Sequence, residues 1–191
     1  MKESQKLPDI LSQQEVEQII KATRNIKHRA LLILIYGAGL RASEAGSLRV
    51  RDIDRDRRCI HVREGKGRKD RYVPLSPVML QALQDYWKAC RSRDAKTDNP
   101  LIFPGERGAA LSASSVGAIY TRGKRQVGIQ KQGGVHALRH AFATHSLEAG
   151  ADLYVINKIL GHAAMSSTVR YLRMTDRTLQ MVESPVERLN L

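Results

Sequence analysis

One short stretch, GGVHALRHAFATH at 133–145, constrains the fold of this chain more than any other. Its Ala, Leu and Phe follow a helical period, and we predict a helix from about His136 to Glu148 that stops at Gly150. Among these apolar residues the helix also carries three histidines and an arginine: His136, Arg139, His140 and His145. Because a polar group brought near a core must find a partner or cost stability, each of them is either a satisfied structural residue or faces a ligand.

The rest of the sequence predicts a mainly α fold with a small antiparallel β-sheet (α+β). A capping box, with Ser12 as N-cap and Glu15 three residues later, begins the first helix. Caps and apolar spacing predict helices over about 12–23, in HRALLILIYGAG up to Gly37 and Gly39, from a cap at Ser43, and over about 76–91. Further helices are predicted from Ser112 or Ser114 to about Val127, over about 136–148 and over about 152–161. Two strands, Cys59–Arg63 and Arg71–Val73, are joined by a Gly-Lys-Gly turn and read as a hairpin.

The charge of the chain indicates what it binds. Its formal net charge is +13, from 32 Lys and Arg against 19 Asp and Glu, and such an excess favours a polyanionic partner, with nucleic acid first. A membrane is disfavoured, because the chain has 2 Phe and 1 Trp and no apolar run long enough to span a bilayer. We expect no signal peptide and two reduced cysteines, Cys59 and Cys90, and hence a cytoplasmic protein.

Two basic clusters are the expected contacts to DNA phosphates. Such cations neutralise phosphates and give an affinity that depends strongly on salt. Any one of them, taken alone, is as often a solvated surface residue, so the prediction depends on the set together with the net charge. The expected DNA-binding residues are Arg68, Lys69, Arg122, Lys124, Arg125 and Lys131.

The histidines of the central helix suit an anion better than a metal ion. His136 and His140 have the i, i+4 spacing of a metal pair, but Arg139 beside them repels a cation, and the glutamate of an H-E-x-x-H site is missing. An arginine presents a planar fork to phosphate oxygens, and a histidine donates a further hydrogen bond. We therefore expect no metal and a phosphate ligand.

Five motifs occur in order along the chain: GLRASE at 39–44, EGKGRKDR at 64–71, HALRH at 136–140, LGH at 160–162 and VRYL at 169–172. Together they resemble the tyrosine recombinase, or phage-type integrase, family. Members of that family carry an arginine in G-L-R-x-S-E, a lysine in a β-hairpin turn, H-x-L-R-H, L-G-H and then a nucleophilic tyrosine. The resemblance runs from about Leu11 to Tyr171 and implies the catalytic-domain fold of such an enzyme.

The resemblance implies roles in the cutting and rejoining of DNA. Arg41 and Arg139 clamp the non-bridging oxygens of the scissile phosphate, and Tyr171 attacks phosphorus to give a 3′-phosphotyrosine and a free 5′-hydroxyl. Lys66 protonates the leaving oxygen, with Lys69 in the same turn as the alternative. No cofactor is expected, because catalysis of phosphoryl transfer consists mainly of positioning and electrostatic stabilisation.

The remaining matched residues surround this centre. The resemblance implies that His136 and His162 hold or deprotonate groups around the phosphate. It also implies that Glu44 and His140 support the residues that touch the phosphate.

The expected organisation is one catalytic domain, residues 1–173, followed by a tail helix, 174–191. The apolar residues of the tail indicate that it docks either on a neighbouring protomer or on its own core. Few residues precede the first helix, so we expect the N-terminal core-binding domain of larger members to be absent. The expected partners are double-stranded DNA, further copies of the chain in a tetrameric synapse and, as an open alternative, a separate DNA-binding or accessory protein, all at the nucleoid.

The leading functional prediction is site-specific recombination, including the integration of mobile DNA. Two alternatives stay open. One is a recombinase-like module that binds DNA without full strand exchange. The other is a nicking and closing activity like that of type IB topoisomerases.

Overall fold

The computed structural model of the chain describes residues 9–63, 70–91 and 99–161. Some predictions lie outside the described residues, namely those for Lys66, Arg68, Lys69, His162, Tyr171 and the tail 174–191.

The described residues form a mainly helical fold with a small antiparallel sheet, as predicted. The helices are α1 (Gln13–Ala22), α2 (Ile26–Ala38), α3 (Ala42–Gly46), α4 (Pro77–Tyr86), α5 (Ala113–Gln126), α6 (His136–Glu148) and α7 (Leu153–Leu160). The strands are β1 (Ile53–Asp54), β2 (Cys59–Val62) and β3 (Arg71–Pro74). A 3₁₀ turn, Val50–Asp52, precedes β1, and a π-helical turn, Trp87–Arg91, continues α4. Among these described helices, none is long and apolar enough to cross a membrane.

Local capping explains most of the helix starts. Ser12 and Glu15 form the predicted capping box, with the Ser12 backbone N–H 2.7 Å from the Glu15 carboxylate. Ser112, rather than Ser114, is the N-cap of α5, and Asp152 caps α7 through the backbone N–H groups of its first turn. The starts of these helices are therefore set by contacts between residues that are close together in the sequence.

The end of α2 differs from the prediction. Gly37 does not stop the helix but lies within it, where an added Cβ would come 2.7 Å from the Met79 sulfur. The glycine thus serves the close packing of α2 on α4. The helix ends at Gly39, whose φ of 60° is the left-handed conformation that glycine adopts without strain.

The start of α3 also differs from the prediction. Ser43 is not its cap, because the chain turns directly after Leu40 and places Arg41 at the N-cap position. The carboxylate of Glu44 accepts a hydrogen bond from the Arg41 backbone N–H at 2.8 Å. A residue implied in phosphate binding therefore stands where the polypeptide enters a helix.

The sheet has the order β1–β2–β3, and both strand pairs are antiparallel. Its register pairs Ile53 with Ile60 and Val62 with Arg71. Strand β1 was not predicted, because two residues carry no alternation that a sequence pattern could show. Since alternate residues of a strand point to the same face, Arg71 shares a face with the buried Val73.

The core is built around α2, which packs against α4 and α6. Its buried residues are Ala30, Leu31, Leu32, Leu34, Ile35 and Ala38. A smaller apolar cluster joins α6 to α7 and contains Ala143, Leu147, Ile156 and Leu160. Burial of each large aliphatic side chain contributes roughly 1.5–3 kcal/mol, so this packing fixes the ends of α2 and α7 relative to α6.

His145, which the sequence predicts to be either a satisfied structural residue or one that faces a ligand, has the contacts of a structural residue. The Tyr36 hydroxyl lies 2.9 Å from its Nδ1, and the two rings meet edge to face with centroids 5.9 Å apart. Burial lowers the pKa of His145, which favours the neutral imidazole. The ring therefore links α2 to α6.

Candidate active site

Arg139 is the most buried basic side chain among the residues implied in phosphate binding. It lies on α6 and is 5% exposed. Its Nη1 donates to the Gly39 carbonyl at 2.6 Å, and its Nη2 donates to the Leu160 carbonyl. These two acceptors satisfy N–H groups but do not cancel the positive charge. The guanidinium is thus held rigidly between the end of α2 and the end of α7.

Arg41 approaches the same place from the start of α3. Its Nη1 lies 2.7 Å from Glu44 Oε1, and its Nη2 lies 3.4 Å from the Gly161 carbonyl oxygen. The side chain is 20% exposed, so it stays partly accessible to a ligand. Its position at a helix start follows from the turn at Gly39, two residues earlier.

Glu44 is the carboxylate at the centre of this group. Burial raises the pKa of its carboxyl, but hydrogen bonds from Arg71 and Arg41 outweigh that effect and lower the pKa to about 2. The carboxylate is therefore ionised at neutral pH. The structure places it where the resemblance implied a supporting role, in contact with Arg41.

Arg71 joins the group and was not predicted as a site residue. Its Nη1 and Nη2 donate to the two carboxylate oxygens of Glu44 at 2.9 and 2.7 Å, and its Nε donates to the Ile159 carbonyl at 2.6 Å. A signal for it exists in the sequence. In RYVPL, the arginine stands two residues before a valine that packs in the core, and a basic residue on the core face of a strand requires an acidic or carbonyl partner.

The C-terminal end of α7 connects the three arginines. The carbonyls of Ile159, Leu160 and Gly161 accept hydrogen bonds from Arg71, Arg139 and Arg41, respectively. The last carbonyls of a helix lack intrahelical partners and carry partial negative charge. A guanidinium group supplies both the missing hydrogen-bond donor and a compensating positive charge. His162, the next residue in sequence, lies outside the described residues. The chain that leads to it leaves α7 at this cluster.

Together these groups form what we call the arginine cluster: Arg41, Arg71, Arg139, Glu44 and the carbonyls of 159–161. It holds three guanidinium groups and one carboxylate, and that carboxylate pairs with Arg41 and Arg71, so the cluster has an excess of positive charge. Such an arrangement is suited to hold a phosphate, and its geometry is set before any ligand arrives.

The two histidines of HALRH have different surroundings. His136 is the first residue of α6 and is exposed, whereas His140, one turn further on, is partly buried. Arg139 lies between them in sequence and is buried. An exposed histidine beside the arginine cluster is available to a ligand in solution.

The predicted DNA-binding residues on α5 and directly after it, Arg122, Lys124, Arg125 and Lys131, separate into two kinds. Arg122 and Arg125 are exposed on α5. Lys124 donates to the Lys131 carbonyl at 2.7 Å, and Lys131 forms a 2.7 Å salt bridge with Glu15 on α1. The two lysines thus anchor the segment that leads to α6, while the two arginines point to solvent.

Comparison with known proteins agrees with this fold. The Phage integrase family profile matches residues 9–178, and the chain therefore belongs to the phage integrase family. The resemblance drawn from the five motifs is confirmed, and so is the fold.

Particular relatives can be named. The protein y4qK of Sinorhizobium fredii is 42% identical over 189 residues, which cover 98% of this chain and 59% of y4qK. The tyrosine recombinase XerA of Pyrococcus horikoshii is 36% identical over 177 residues, which cover 91% of this chain and 60% of XerA. The chain thus spans about three fifths of the length of these curated relatives.

Solved structures show the same similarity. The crystal structure of XerA recombinase matches with a TM-score of 0.80 at 31% identity, covering 94% of this chain and 63% of that chain. XerH site-specific recombinase, bound to its palindromic difH substrate in a post-cleavage complex, matches with a TM-score of 0.78 at 26% identity, covering 95% of this chain and 54% of that chain.

Proposed function

We propose that this chain is the catalytic part of a site-specific DNA recombinase that cuts and rejoins DNA through a 3′-phosphotyrosine. The observation that carries the proposal is the arginine cluster. Buried Arg139 and partly exposed Arg41 converge on the end of α7, at the carbonyls of the first two residues of the LGH motif. The family membership of the chain supports the same reaction.

The two arginines hold the scissile phosphate. Arg139 keeps its charge beside the neutral carbonyls of Gly39 and Leu160, and Arg41 offers a partly accessible side chain. Both stabilise the negative charge that develops on the equatorial oxygens in the transition state. Because hydrogen bonds fix Arg139 in advance, little reorganisation accompanies the reaction.

Tyr171 supplies the nucleophile. Its hydroxyl oxygen forms a bond to phosphorus while the bond from phosphorus to the 5′-oxygen breaks, and the phosphotyrosine conserves the energy of the phosphodiester. His136 and His162 hold the phosphate or accept the tyrosine proton, and Lys66 gives a proton to the 5′-oxygen, with Lys69 as the alternative donor. Rejoining reverses these steps with a 5′-hydroxyl as the attacking group, so neither ATP nor a metal ion is needed.

The partner is double-stranded DNA. XerH is a recombinase seen bound to DNA, and the net charge of +13 suits such a ligand. Arg122 and Arg125, with Arg68 and Lys69 of the hairpin turn, are proposed to contact phosphates. Lys124 and Lys131 contribute their charge while anchoring the chain. Recombination joins two sites, so we propose a tetrameric synapse that forms at the nucleoid, either alone or with a separate DNA-binding or accessory protein.

The test uses a suicide DNA substrate with a nick near the cleavage site, which traps the covalent intermediate. A protein–DNA adduct and exchange between two sites are expected. An adduct with relaxation of supercoils but no exchange would instead identify a nicking and closing enzyme. DNA binding without an adduct would identify a binding module.

A further inference from the structure

Arg71 lies at the junction of three parts of the proposed active site. It is the first residue of β3, five positions after Lys66 in the sequence, and its side chain is 9% exposed. Its partners are Glu44, the first acidic residue of α3, and the carbonyl of Ile159 at the end of α7. One side chain therefore contacts the last residue of the GLRASE motif and the residue directly before the LGH motif.

Both Arg71 and Arg41 hold the carboxylate of Glu44. Arg71 meets both carboxylate oxygens with the two parallel hydrogen bonds of one guanidinium, whereas Arg41 meets Oε1 with its side chain and Oε2 with its backbone N–H. A bidentate fork sets the plane of a carboxylate as well as its distance. The plane of the Glu44 carboxylate, and with it the place of Arg41 Nη1, therefore depends on Arg71 as well as on the Arg41 backbone.

The charges lead to the same residue. If Glu44 paired with Arg41 alone, its negative charge would cancel the positive charge with which Arg41 attracts the phosphate. Arg71 shares that carboxylate and is itself almost fully buried, so the pair of arginines keeps net positive charge around a single anion. The low pKa of Glu44, about 2, depends first on the hydrogen bonds from Arg71 among its favourable contacts.

We infer that Arg71 is a positioning residue of the recombination reaction. It acts through Glu44 to hold the Arg41 guanidinium at the scissile phosphate and through Ile159 to hold the end of α7 against the sheet. The inference rests on the proposed function, because it assumes that Arg41 binds the phosphate. Arg71 itself touches neither DNA nor the leaving group.

The test compares Arg71→Met and Arg71→Lys with the matched control Arg63→Lys. Arg63 follows β2 in the same hairpin and pairs with the buried Asp52 at 2.6 Å, and none of its described hydrogen bonds or salt bridges reaches the arginine cluster. Cleavage is measured in a single turnover on the suicide substrate at saturating DNA, with DNA affinity and thermal unfolding measured in parallel. Misplacement of a catalytic group by about 1 Å costs on the order of 100-fold in rate, so we expect Arg71→Met to slow cleavage by about that factor.

The pattern of effects separates positioning from other roles. DNA affinity of Arg71→Met should stay within about threefold of the parent, since many other cations supply binding. Arg71→Lys, which keeps the charge but loses the fork, should cleave at an intermediate rate, and Arg63→Lys should cleave like the parent. If Arg71→Met does not fold, the comparison between Arg71→Lys and Arg63→Lys carries the test.

Two further measurements can overturn the inference. A substrate with a 5′-bridging sulfur needs no proton at its leaving group. On this substrate, cleavage by Arg71→Lys should be slowed as much as on the normal substrate. If the sulfur substrate restored the cleavage rate, Arg71 would act through the proposed general acid, Lys66, instead of through Glu44. In a double-mutant cycle, Glu44→Gln should slow Arg71→Met less than it slows the parent, because the two residues act in one contact. Effects that multiply, or an Arg71→Lys variant as fast as the parent, would refute the inference.

Failure of this inference can be told apart from failure of the proposed function. If the parent protein forms no adduct, the proposed function itself is wrong. If the parent forms the adduct and the Arg71 variants form it equally fast, only the role of Arg71 is wrong.

Discussion

Gly39 connects the stability of the fold to the geometry of the active site, and Gly39→Ala tests that connection. The residue has a φ of 60°, and its carbonyl accepts the Arg139 hydrogen bond at 2.6 Å. An added Cβ would lie 2.6 Å from Phe142 Cδ1 and 3.0 Å from Leu160 Cδ2. The substitution therefore combines backbone strain with overpacking between the ends of α2, α6 and α7.

The magnitude follows from these two effects. A left-handed alanine costs about 1–2 kcal/mol, and insertion of a methyl group into a packed site costs about 1–3 kcal/mol. We expect Gly39→Ala to lower the free energy of unfolding by roughly 2–5 kcal/mol in total. With a urea dependence of about 2 kcal/mol per molar, the unfolding midpoint should fall by about 1 M or more.

A second glycine provides the control. Gly128 has a φ of 69°, and no atom of the described residues lies within 4 Å of the place where its Cβ would be. Gly128→Ala thus carries the backbone strain without the overpacking and should cost about 1–2 kcal/mol. Urea unfolding of both variants is the assay. If Gly39→Ala destabilises no more than Gly128→Ala, the packing of Phe142 and Leu160 against Gly39 is not as described.

Three other predictions concern acid stability, the leaving group and the tail. Burial lowers the pKa of His145 and His28, so the unfolded chain binds protons more readily than the folded chain. The free energy of unfolding, measured with urea, should therefore decrease as the pH is lowered from about 7.5 to about 5.5. A His145→Gln variant whose free energy of unfolding depends on pH as steeply as that of the parent would contradict this. Lys66→Ala should slow cleavage of a normal 5′-oxygen substrate far more than one with a bridging sulfur, and equal losses in single-turnover cleavage would remove Lys66 from the role of general acid. Truncation after Arg177 should leave a folded chain that binds one DNA site in a gel-shift assay but fails to pair two sites, whereas outright unfolding would place the tail on its own core.

Features set by neighbouring residues could be predicted from the sequence. Ser12 caps α1 through Glu15, and Asp152 caps α7 through the next residues, so both starts were visible in the chain itself. The bounds of α6 were predicted because an apolar period and flanking glycines define them. The same locality explains why the five motifs sufficed to identify the family.

Features that depend on contacts between distant segments could not be predicted. Gly37 looked like a helix stop, but the Met79 side chain, which requires a glycine opposite it, lies on another helix. Lys131 looked like a phosphate contact, and its salt bridge to Glu15 joins residues 116 positions apart. Arg71 belongs to this group as well, since its partners are 27 and 88 positions away.

The most direct test of the proposed reaction is covalent trapping by Tyr171. The parent protein and Tyr171→Phe are incubated with the suicide substrate in the presence of EDTA, and the adduct and the DNA affinity are both measured. The parent should form a 3′-linked adduct without a divalent metal ion, because arginines stabilise the charge on the phosphate. The variant should form none while binding DNA nearly as tightly, because one hydroxyl is the nucleophile and many cations supply affinity. An adduct that persists in Tyr171→Phe, or one that requires a divalent ion, would contradict the proposed mechanism.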